Sequence, residues 1–351
     1  MKIGSGKKVR KILDHIIPVI SFLFLLVFIT NCSSPTKEEL FLRGSTMGTS
    51  YSVRIVEPKE KEILKGIDTE IDSVLVDVNN KMSTYLQSSE LSHFNQTKST
   101  DWIEISKDLA HVINTSIGVS KESNSSFDIT VGPLVNLWGF GPTQTANKMP
   151  DNKKIKELLV DVGINKIELD LNDLKIRKKN PDIYCDLSAI AKGFGVDKVG
   201  LFLESKGLKN YMVEIGGEVR TKGFNKQNEK WKIGISTPLG NGLEKVVDIA
   251  NLSIATSGDY YNYYEVDGVR YSHTIDPRTG RPITHKLASV SVINEDCEKA
   301  DAYATAIDVM GPEEGYEFAL KMKLPIFMIV RKENGFIEKM TPQFEDFILK
   351  D

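Results

Sequence analysis

Apolar residues recur along the chain with two different periods, which together predict a mixture of strands and helices. Over residues 50–56, Tyr51, Val53 and Ile55 alternate with polar residues, as in a strand with one buried face. Over residues 62–79, aliphatic side chains recur at three- and four-residue spacing, which predicts an amphipathic helix. We expect both kinds of element throughout the remaining chain.

The same two periods predict the other elements. Helices are expected over 107–121, 154–162, 189–206, 298–310 and 312–322, with a further helical stretch over 128–137. Strands are expected near 166–170, 173–178, 211–215, 230–236, 246–250, 269–274 and 288–294, before a final hairpin over 325–340. Because strands and helices do not alternate as regular βαβ units, their order favours an α+β fold with mixed, largely antiparallel sheets and packed helices.

The first 31 residues differ in composition from the rest of the chain. Basic residues precede an apolar run of about fourteen residues, Ile16 to Ile29, which is short for a helix across a hydrocarbon core of about 30 Å. A basic segment before a short apolar run is typical of a secretory signal. Cys32 follows directly, as in the lipobox of bacterial lipoproteins, where the thiol is diacylated and becomes residue one. Asn31 replaces the usual Gly, Ala or Ser.

This resemblance to lipoproteins predicts how the chain is organised. We expect a signal peptide over 1–31, a lipidated Cys32 with a tether over 32–43, and one domain over 44–345. The alternative is an uncleaved N-terminal anchor. Both interpretations predict an exported domain that is held at the membrane on the periplasmic side of a bacterial cell envelope.

Composition narrows the function classes. The 351 residues carry 45 basic and 48 acidic side chains, and removal of the five basic residues and one acid in 1–31 takes the net charge from -3 to -7. This chain lacks the basic excess that nucleic acid would need, so no nucleic-acid partner is expected. Three cysteines are too few for a disulfide framework, and Cys185 and Cys297 are expected to be free, buried thiols. The motifs of P-loop kinases, Rossmann dehydrogenases, zinc hydrolases and α/β-hydrolases are absent from the sequence.

Two stretches contain groups that suit a phosphate. The glycines of GSTMGT (44–49) permit a tight turn with exposed N–H donors, although most such clusters are simple loops. Asp186 and Ser188 are typical helix-start residues, and free N–H groups at a helix start attract anions. Lys192 would lie one turn into that helix, close enough to pair with a phosphate. A solvated lysine is the alternative.

Further acids and a histidine are candidates for chemistry or for structure. Asp128 could cap the segment that follows it, and Trp138 and Phe140 could be ordinary core residues. His273 lies beside hydroxyl groups and an acid, as a general base would, although a lone histidine is more often structural. Asp276 begins an Asp-Pro-x-x-Gly sequence, which is a strong turn signal and leaves a purely structural role open.

Asp301 and Thr305 are four residues apart at the head of a predicted helix and therefore share one face. Two hard oxygen ligands on one face suit Mg²⁺ that keeps open positions for substrate phosphates. The alternative is an acidic first turn that only complements the helix dipole.

Taken together and in order, these stretches resemble the ApbE family, the FAD:protein FMN transferases. The matching segments span residues 44–311. They are GSTMGTSYSV (44–53), MSTYLQSSELSHFN (82–95), FDITVGPLVNLWGFG (127–141), CDLSAIAKGFGVD (185–197), VEIGGEVRTKG (213–223), ATSGDYYNYY (255–264), YSHTIDPRTGRPI (271–283) and ADAYATAIDVMG (300–311).

The resemblance implies a reaction. Family members bind FAD, use Mg²⁺ to break its pyrophosphate, and move the FMN half through a phosphoester bond onto a threonine of an acceptor protein, releasing AMP. Acceptors are typically subunits of membrane redox complexes, such as Na⁺-pumping quinone reductases and Rnf types. Two alternatives stay open: hydrolysis of FAD to FMN and AMP, as in some relatives, and a lipoprotein that binds FAD without chemistry.

The resemblance also implies roles for individual residues. The metal ligands would be the side chains of Asp301 and Thr305 and the backbone carbonyl of Ala189, while Ala304 stands where some relatives have an acidic ligand. Lys192 would offset charge on the pyrophosphate. The flavin contacts would be Met47, Tyr85, Ser126, Phe127, Asp128, Asp186, Lys192 and Ile275. His273 and Asp276 are the candidates for the base that activates the acceptor threonine.

Overall fold

The structure, a computed structural model, describes residues 37–56, 61–142, 149–238, 242–258, 263–266 and 269–349. The predicted signal peptide and Cys32 lie outside these residues. Within the part of the chain that the structure describes, no helix combines the length and the apolar character needed to cross a bilayer.

An antiparallel sheet of eight strands organises the domain. Each strand pairs antiparallel with its neighbours, and strands are numbered in chain order. Side by side, the strands are β1 (Glu39–Thr46), β2 (Thr49–Val56), β6 (Tyr211–Ile215), β7 (Glu218–Lys222), β10 (Ser253–Gly258), β15 (Leu287–Asn294), β16 (Ile326–Lys332) and β17 (Gly335–Met340).

Smaller antiparallel sheets flank the large one. The three-stranded sheet has the order β3 (Ile103–Glu104), β5 (Lys175–Lys178) and β4 (Ile167–Asp170). The two-stranded sheets are β8 (Trp231–Ser236) with β9 (Leu243–Ile249), β11 (Tyr263–Val266) with β12 (Val269–Ser272), and β13 (Ile275–Asp276) with β14 (Arg281–Pro282).

The helices of the described residues vary widely in length. They are α1 (Ile67–Met82), α2 (Glu90–Gln96), α3 (Lys107–Glu122), α4 (Gly132–Leu137), α5 (Asn152–Leu159), α6 (Ala191–Ser205), α7 (Cys297–Met322) and α8 (Pro342–Glu345). Short 3-10 turns cover Lys61–Leu64, Ile129–Val131 and Ile164–Lys166.

The large sheet buries apolar side chains on both faces. On one face, Val53 packs with Ile71 of α1 and Val199 of α6. On the other face, Val219 packs with Val247 of the β8–β9 hairpin. Because each strand alternates its side chains between the two faces, one sheet supports the helical layer and the hairpin at the same time. This arrangement confirms the predicted α+β fold with largely antiparallel sheets.

Several segments differ from the sequence prediction, and two central strands of the large sheet, β7 and β10, were not predicted. Residues 39–43, expected to belong to a tether, form the first part of β1 and pair with β2. The helix predicted over 62–79 is divided at Gly66, whose φ of 74° interrupts the helical backbone. The helices predicted over 298–310 and 312–322 are confirmed as the two halves of α7, which meet at a bend at Gly311, where φ is 82°. Helix α2 was not predicted, because its seven residues carry too few apolar positions to show a period.

Helices α6 and α7 come into close contact at Gly193. A Cβ atom built at this residue would lie 2.4 Å from the carbonyl oxygen of Cys297 and 2.8 Å from the Cα of Glu298. Both distances involve backbone atoms, which cannot rotate away. Only glycine therefore allows the two helices to approach this closely.

We expect Gly193→Ala to lower the free energy of unfolding by about 1–3 kcal/mol, the usual cost of overpacking a core. Gly118→Ala is the matched control, because Gly118 lies inside α3 and a Cβ there meets nothing within 4 Å. That change should raise the free energy of unfolding by about 0.5–1 kcal/mol through helix propensity. Urea unfolding of both variants measures the difference, and equal stabilities would contradict the close-contact argument.

Candidate active site

A cavity of about 1360 Å³ lies between the start of α6, the first turns of α7, the turn before β7 and the end of β10. Pockets for drug-sized ligands occupy about 300–1,000 Å³, so this one has room for a dinucleotide. Of the thirteen site residues expected from the sequence, twelve line it: Met47, Tyr85, Ser126, Phe127, Asp128, Asp186, Ala189, Lys192, His273, Ile275, Asp301 and Thr305. The remaining residue, Asp276, does not.

The carboxylate of Asp301 lies at the bottom of the cavity. The residue is 5% exposed, and its Oδ2 accepts a hydrogen bond of 3.0 Å from the backbone N–H of Gly193. Burial raises the pKa of Asp301, and the charge of Lys192 opposes that rise. Thr305 follows one helical turn later and lines the same cavity. The predicted shared face of Asp301 and Thr305 is therefore confirmed.

Lys192 lies beside Asp301 and contacts a second acid. Its Nζ donates a hydrogen bond of 2.6 Å to Oε1 of Glu218, which is 1% exposed. Burial lowers the pKa of Lys192, but the charges of Asp301 and Glu218 outweigh burial, so the pKa rises above its usual value. The ammonium group therefore stays charged at neutral pH. The alternative of an ordinary solvated lysine does not fit these contacts.

These oxygen atoms suit Mg²⁺ as a partly open site. Within the described ranges, no three Asp, Glu, His or Cys side chains are grouped so that they could hold a metal ion. Mg²⁺ is commonly held by only one or two carboxylates and keeps waters and substrate phosphates as further ligands. Asp301, Thr305 and the half-buried Ala189 offer a carboxylate, a hydroxyl and a carbonyl from one side of the cavity. The donor set thus fits Mg²⁺ that is completed by its substrate.

Two other buried acids bind backbone groups of the cavity wall. Oδ1 of Asp128 accepts hydrogen bonds from the backbone N–H and the hydroxyl of Thr130, and Oδ2 accepts from the N–H of Ile164. Oδ1 of Asp186 accepts from the N–H of Ser188. Burial raises the pKa of both carboxyl groups. Asp128 therefore caps the following 3-10 turn, as the sequence allowed, and its oxygens are already used by the protein.

The start of α6 offers fewer free amides than expected. The N–H groups of Ile190 and Ala191 donate to the carbonyl of Leu187, and the N–H of Gly193 donates to Asp301. The turn at Leu187 thus takes up donors that the sequence suggested for an anion. Lys192 is left as the cationic group of this segment that lines the cavity.

Apolar and hydroxyl groups form the upper walls. Met47 and Gly48 make the two-residue turn between β1 and β2, and Met47 has a φ of 50°. The predicted loop over 44–49 is therefore mostly strand, with its turn at the cavity. Phe127 is 2% exposed beside Ser126, whose buried hydroxyl has no hydrogen-bond partner.

Aromatic residues surround the mouth. Tyr85 is 67% exposed, and its hydroxyl donates a long hydrogen bond of 3.4 Å to the carbonyl of Phe140. The ring of His273 contacts the ring of Phe140 edge-on, with centroids 6.3 Å apart. Trp138, by contrast, is 2% exposed and donates to the carbonyl of Gly280, which is the core role considered for it. A flat aromatic ligand at this entrance would contact the rings of Tyr85, Phe140 and His273.

Asp276 has a structural role in this geometry. Its Oδ1 accepts from the backbone N–H of Arg278, and both of its oxygens accept from the Arg278 guanidinium. Its carbonyl accepts from the N–H groups of Thr279 and Gly280, which closes the predicted turn. The candidate role of Asp276 as a base is not supported, because its carboxylate is held by Arg278 outside the cavity lining.

Two buried acids near the cavity were not assigned from the sequence. Glu218 follows the Gly216–Gly217 pair in the segment VEIGGEVRTKG (213–223), which contributes to the family resemblance but implies no role for the glutamate. Asp308 accepts hydrogen bonds from the hydroxyls of Ser257 and Thr274, both of which line the cavity. Asp308 lies seven residues after Asp301, which places it on the same helix face. That spacing was the available signal for Asp308, and no local signal identified Glu218.

Known proteins resemble this chain along most of its length. The model of the ApbE family matches residues 47–328. A curated protein of Vibrio cholerae, named FAD:protein FMN transferase, is 42% identical over 93% of this chain and 97% of its own. A protein of the same name from Haemophilus influenzae is 43% identical over 96% of this chain and 98% of its own.

Solved structures agree with the sequence comparison. The flavin transferase ApbE of Vibrio cholerae superposes with a TM-score of 0.82 at 40% identity, covering 89% of this chain and 99% of its own. The apo form of the Pseudomonas stutzeri flavinyl transferase ApbE gives a TM-score of 0.81 at 33% identity, covering 88% of this chain and 96% of its own. The matched family model and these relatives establish that the chain belongs to the ApbE family.

Proposed function

We propose that this chain is an FAD:protein FMN transferase that uses Mg²⁺ and forms a phosphoester between FMN and a threonine of an acceptor protein. In this reaction the threonine Oγ forms a bond to the FMN phosphorus, the bond from that phosphorus to the bridging oxygen breaks, and AMP leaves with the bridging oxygen. Flavin transfer to protein is the activity named for the relatives.

The placement of Lys192 and Asp301 in the lining of one large cavity, with the charge of Asp301 raising the pKa of Lys192, is the observation that carries this proposal. A pyrophosphate needs positive charge, and the Lys192 ammonium is held there between two carboxylates. The aromatic mouth and the apolar turn at Met47 suit the flavin and adenine rings of FAD. Phosphoryl transfer depends mainly on such positioning and charge neutralisation.

Asp301, Thr305 and the carbonyl of Ala189 would hold Mg²⁺ in this cavity. When bound, Mg²⁺ supplies Lewis-acid neutralisation of the phosphate oxygens. The hydrogen bond from Gly193 fixes Asp301 against the helix contact, so this carboxylate is oriented before FAD enters. Lys192 orients the phosphates from the adjacent wall.

The acceptor threonine must lose its proton as its oxygen attacks phosphorus. His273 lines the cavity near the mouth, where a protein segment would enter, and a ring nitrogen there accepts that proton. Phe140 packs against the His273 ring and limits its rotation.

The direct test incubates the purified protein with FAD, Mg²⁺ and a flavin-accepting subunit of a Na⁺-pumping quinone reductase. We expect AMP release together with a fluorescent acceptor band on a denaturing gel, and no band when the acceptor threonine is replaced by alanine. AMP with free FMN and no band would instead identify an FAD pyrophosphatase. FAD binding without AMP would identify a binding protein.

Asp301→Asn should abolish transfer with the fold intact. The asparagine oxygen still accepts from Gly193, but the charge that the metal needs is lost, so AMP release should fall by about 1,000-fold or more. Asp182→Asn is the control, because Asp182 pairs with Lys98 on the surface. Initial rates and melting temperatures measure both effects. Mg²⁺-dependent AMP release retained in Asp301→Asn would refute the metal assignment.

The two candidate bases should respond differently to substitution. His273→Gln should lower transfer to the threonine by about 100-fold, the lower end of the usual range for loss of a general base. Asp276→Asn should change the rate by less than about threefold, because Asp276 contacts Arg278 instead of the cavity. Acceptor labelling rates at saturating FAD compare them. A larger loss in Asp276→Asn than in His273→Gln would reverse this assignment.

We also propose that the N-terminal segment is a lipoprotein signal. The cavity would then act on acceptor proteins at a membrane. In that case Cys32 carries the lipid and the domain stands on the periplasmic side of the membrane. The basic and apolar pattern of residues 1–31 supports this proposal.

Cys32→Ser should prevent lipidation, because the thiol that takes the lipid is lost. The protein should then move to the soluble fraction or accumulate as a precursor with its signal peptide uncleaved. Membrane flotation and incorporation of labelled palmitate into the wild-type protein and the variant provide the measurement. Cys185→Ser is the control, since Cys185 is a buried free thiol in the domain core. Labelled palmitate in Cys32→Ser would contradict the lipid assignment.

A further inference from the structure

We infer that Glu218 is a positioning residue of this site, whose carboxylate holds the Lys192 ammonium group in place for the phosphates of FAD. This inference rests on the proposed function. It assigns a role to a residue that no local sequence pattern identifies, and it explains why a buried acid contacts the cation of the cavity.

The chain path fixes the position of Glu218. Gly216 and Gly217 form a tight turn between β6 and β7 with φ values of 59° and 104°, and Glu218 is the first residue of β7. Its side chain is almost completely buried, and Oε1 lies 2.6 Å from the Nζ of Lys192. Strand pairing on both sides of β7 therefore determines where this carboxylate stands.

The same turn lies close to the aliphatic stem of Lys192. A Cβ built at Gly216 would lie 3.5 Å from Cδ of Lys192, so the backbone of the turn passes beside the aliphatic chain. Gly216 and Gly217 also line the cavity. Lysine has four rotatable side-chain bonds, and contacts at both its stem and its head are needed to fix its ammonium group.

The remaining oxygen of Glu218 has no partner. Oε2 is buried and accepts no hydrogen bond, so the contact of Oε1 with Lys192 orients this side chain. Lys192 is the group that Glu218 binds, and it is the cavity residue whose position matters for a pyrophosphate.

Glu298 provides a matched comparison within the same domain. It is also a buried glutamate with one unpartnered oxygen, and its Oε1 binds His111 and Thr115 on α3. It does not line the cavity. Glu218 and Glu298 therefore share burial and chemistry but differ in contact with Lys192.

A double-mutant cycle between Glu218 and Lys192 tests the inference. The variants are Glu218→Gln, Lys192→Met and their combination, assayed for AMP release from FAD with Mg²⁺ and acceptor. Glu218→Gln should lower kcat/KM by about 10- to 100-fold, the size of effect expected when a catalytic group is misplaced. In the Lys192→Met background it should lower kcat/KM by less than about twofold, because the group that it positions is already gone.

Two further variants separate position from charge and from packing. Glu218→Asp keeps the charge but withdraws it from Lys192, so it should lose at least about tenfold in kcat/KM. Glu298→Gln should stay within about twofold of the wild-type value. Melting temperatures identify any variant that fails to fold, and Glu218→Asp then carries the cycle in place of Glu218→Gln.

The outcomes distinguish this inference from the proposed function. Two results would overturn the positioning role alone, provided that the wild-type protein is an active transferase. The first is that the Glu218 and Lys192 substitutions have independent effects, and the second is that Glu218→Gln and Glu218→Asp both keep the wild-type rate. A wild-type protein that binds FAD without AMP release overturns the transferase proposal. The cycle is then measured on the dissociation constant of FAD by flavin fluorescence, where the same non-additivity is expected. A protein that does not bind FAD overturns both.

Discussion

The contact between α6 and α7 at Gly193 is the constraint on which the site depends. It brings the first turn of one helix against the first turns of the other, with no side chain between them. Lys192 and Asp301 come from opposite sides of this contact, and the amide of Gly193 itself binds the Asp301 carboxylate. Two helices far apart in sequence thereby place a cation and an acid together. If α6 and α7 were farther apart, Lys192 and Asp301 would each be surrounded by water instead of lying near the opposite charge.

Burial and charge balance act together at the base of the cavity. A single lysine surrounded by core atoms would tend to lose its proton, and a single buried carboxylate would tend to gain one. The charges of Asp301 and Glu218 raise the pKa of Lys192, and the charge of Lys192 opposes the rise that burial causes in both acids. Burial is the larger effect at Glu218, where it raises the pKa to about 8, with a further contribution from the charge of Asp301. The cluster carries one excess negative charge when all three groups are ionised. This excess favours binding of a cation, because an uncompensated negative charge is costly among buried groups.

Local patterns in the sequence predicted what is local in the structure. The alternation of residues 50–56 and the four-residue spacing of Asp301 and Thr305 each depend on one segment, and each appears with little change. Glu218 could not be identified in this way, because its partner is 26 residues away and only the pairing of β7 brings them together. For Asp276 the sequence left a structural role open, and its contact with Arg278, two residues away, supports that interpretation.

The β1–β2 hairpin adds a fixed length to the molecule. β1 starts at Glu39 and ends at the turn where Met47 meets the cavity, so eight strand residues span about 27 Å at about 3.4 Å each. This strand is paired along its length with β2 and cannot shorten. One rim of the cavity is thus held at a constant distance from Glu39, the first residue of β1. A flavin-accepting protein must therefore reach this rim itself, because the paired strand β1 cannot shorten to bring Met47 toward it.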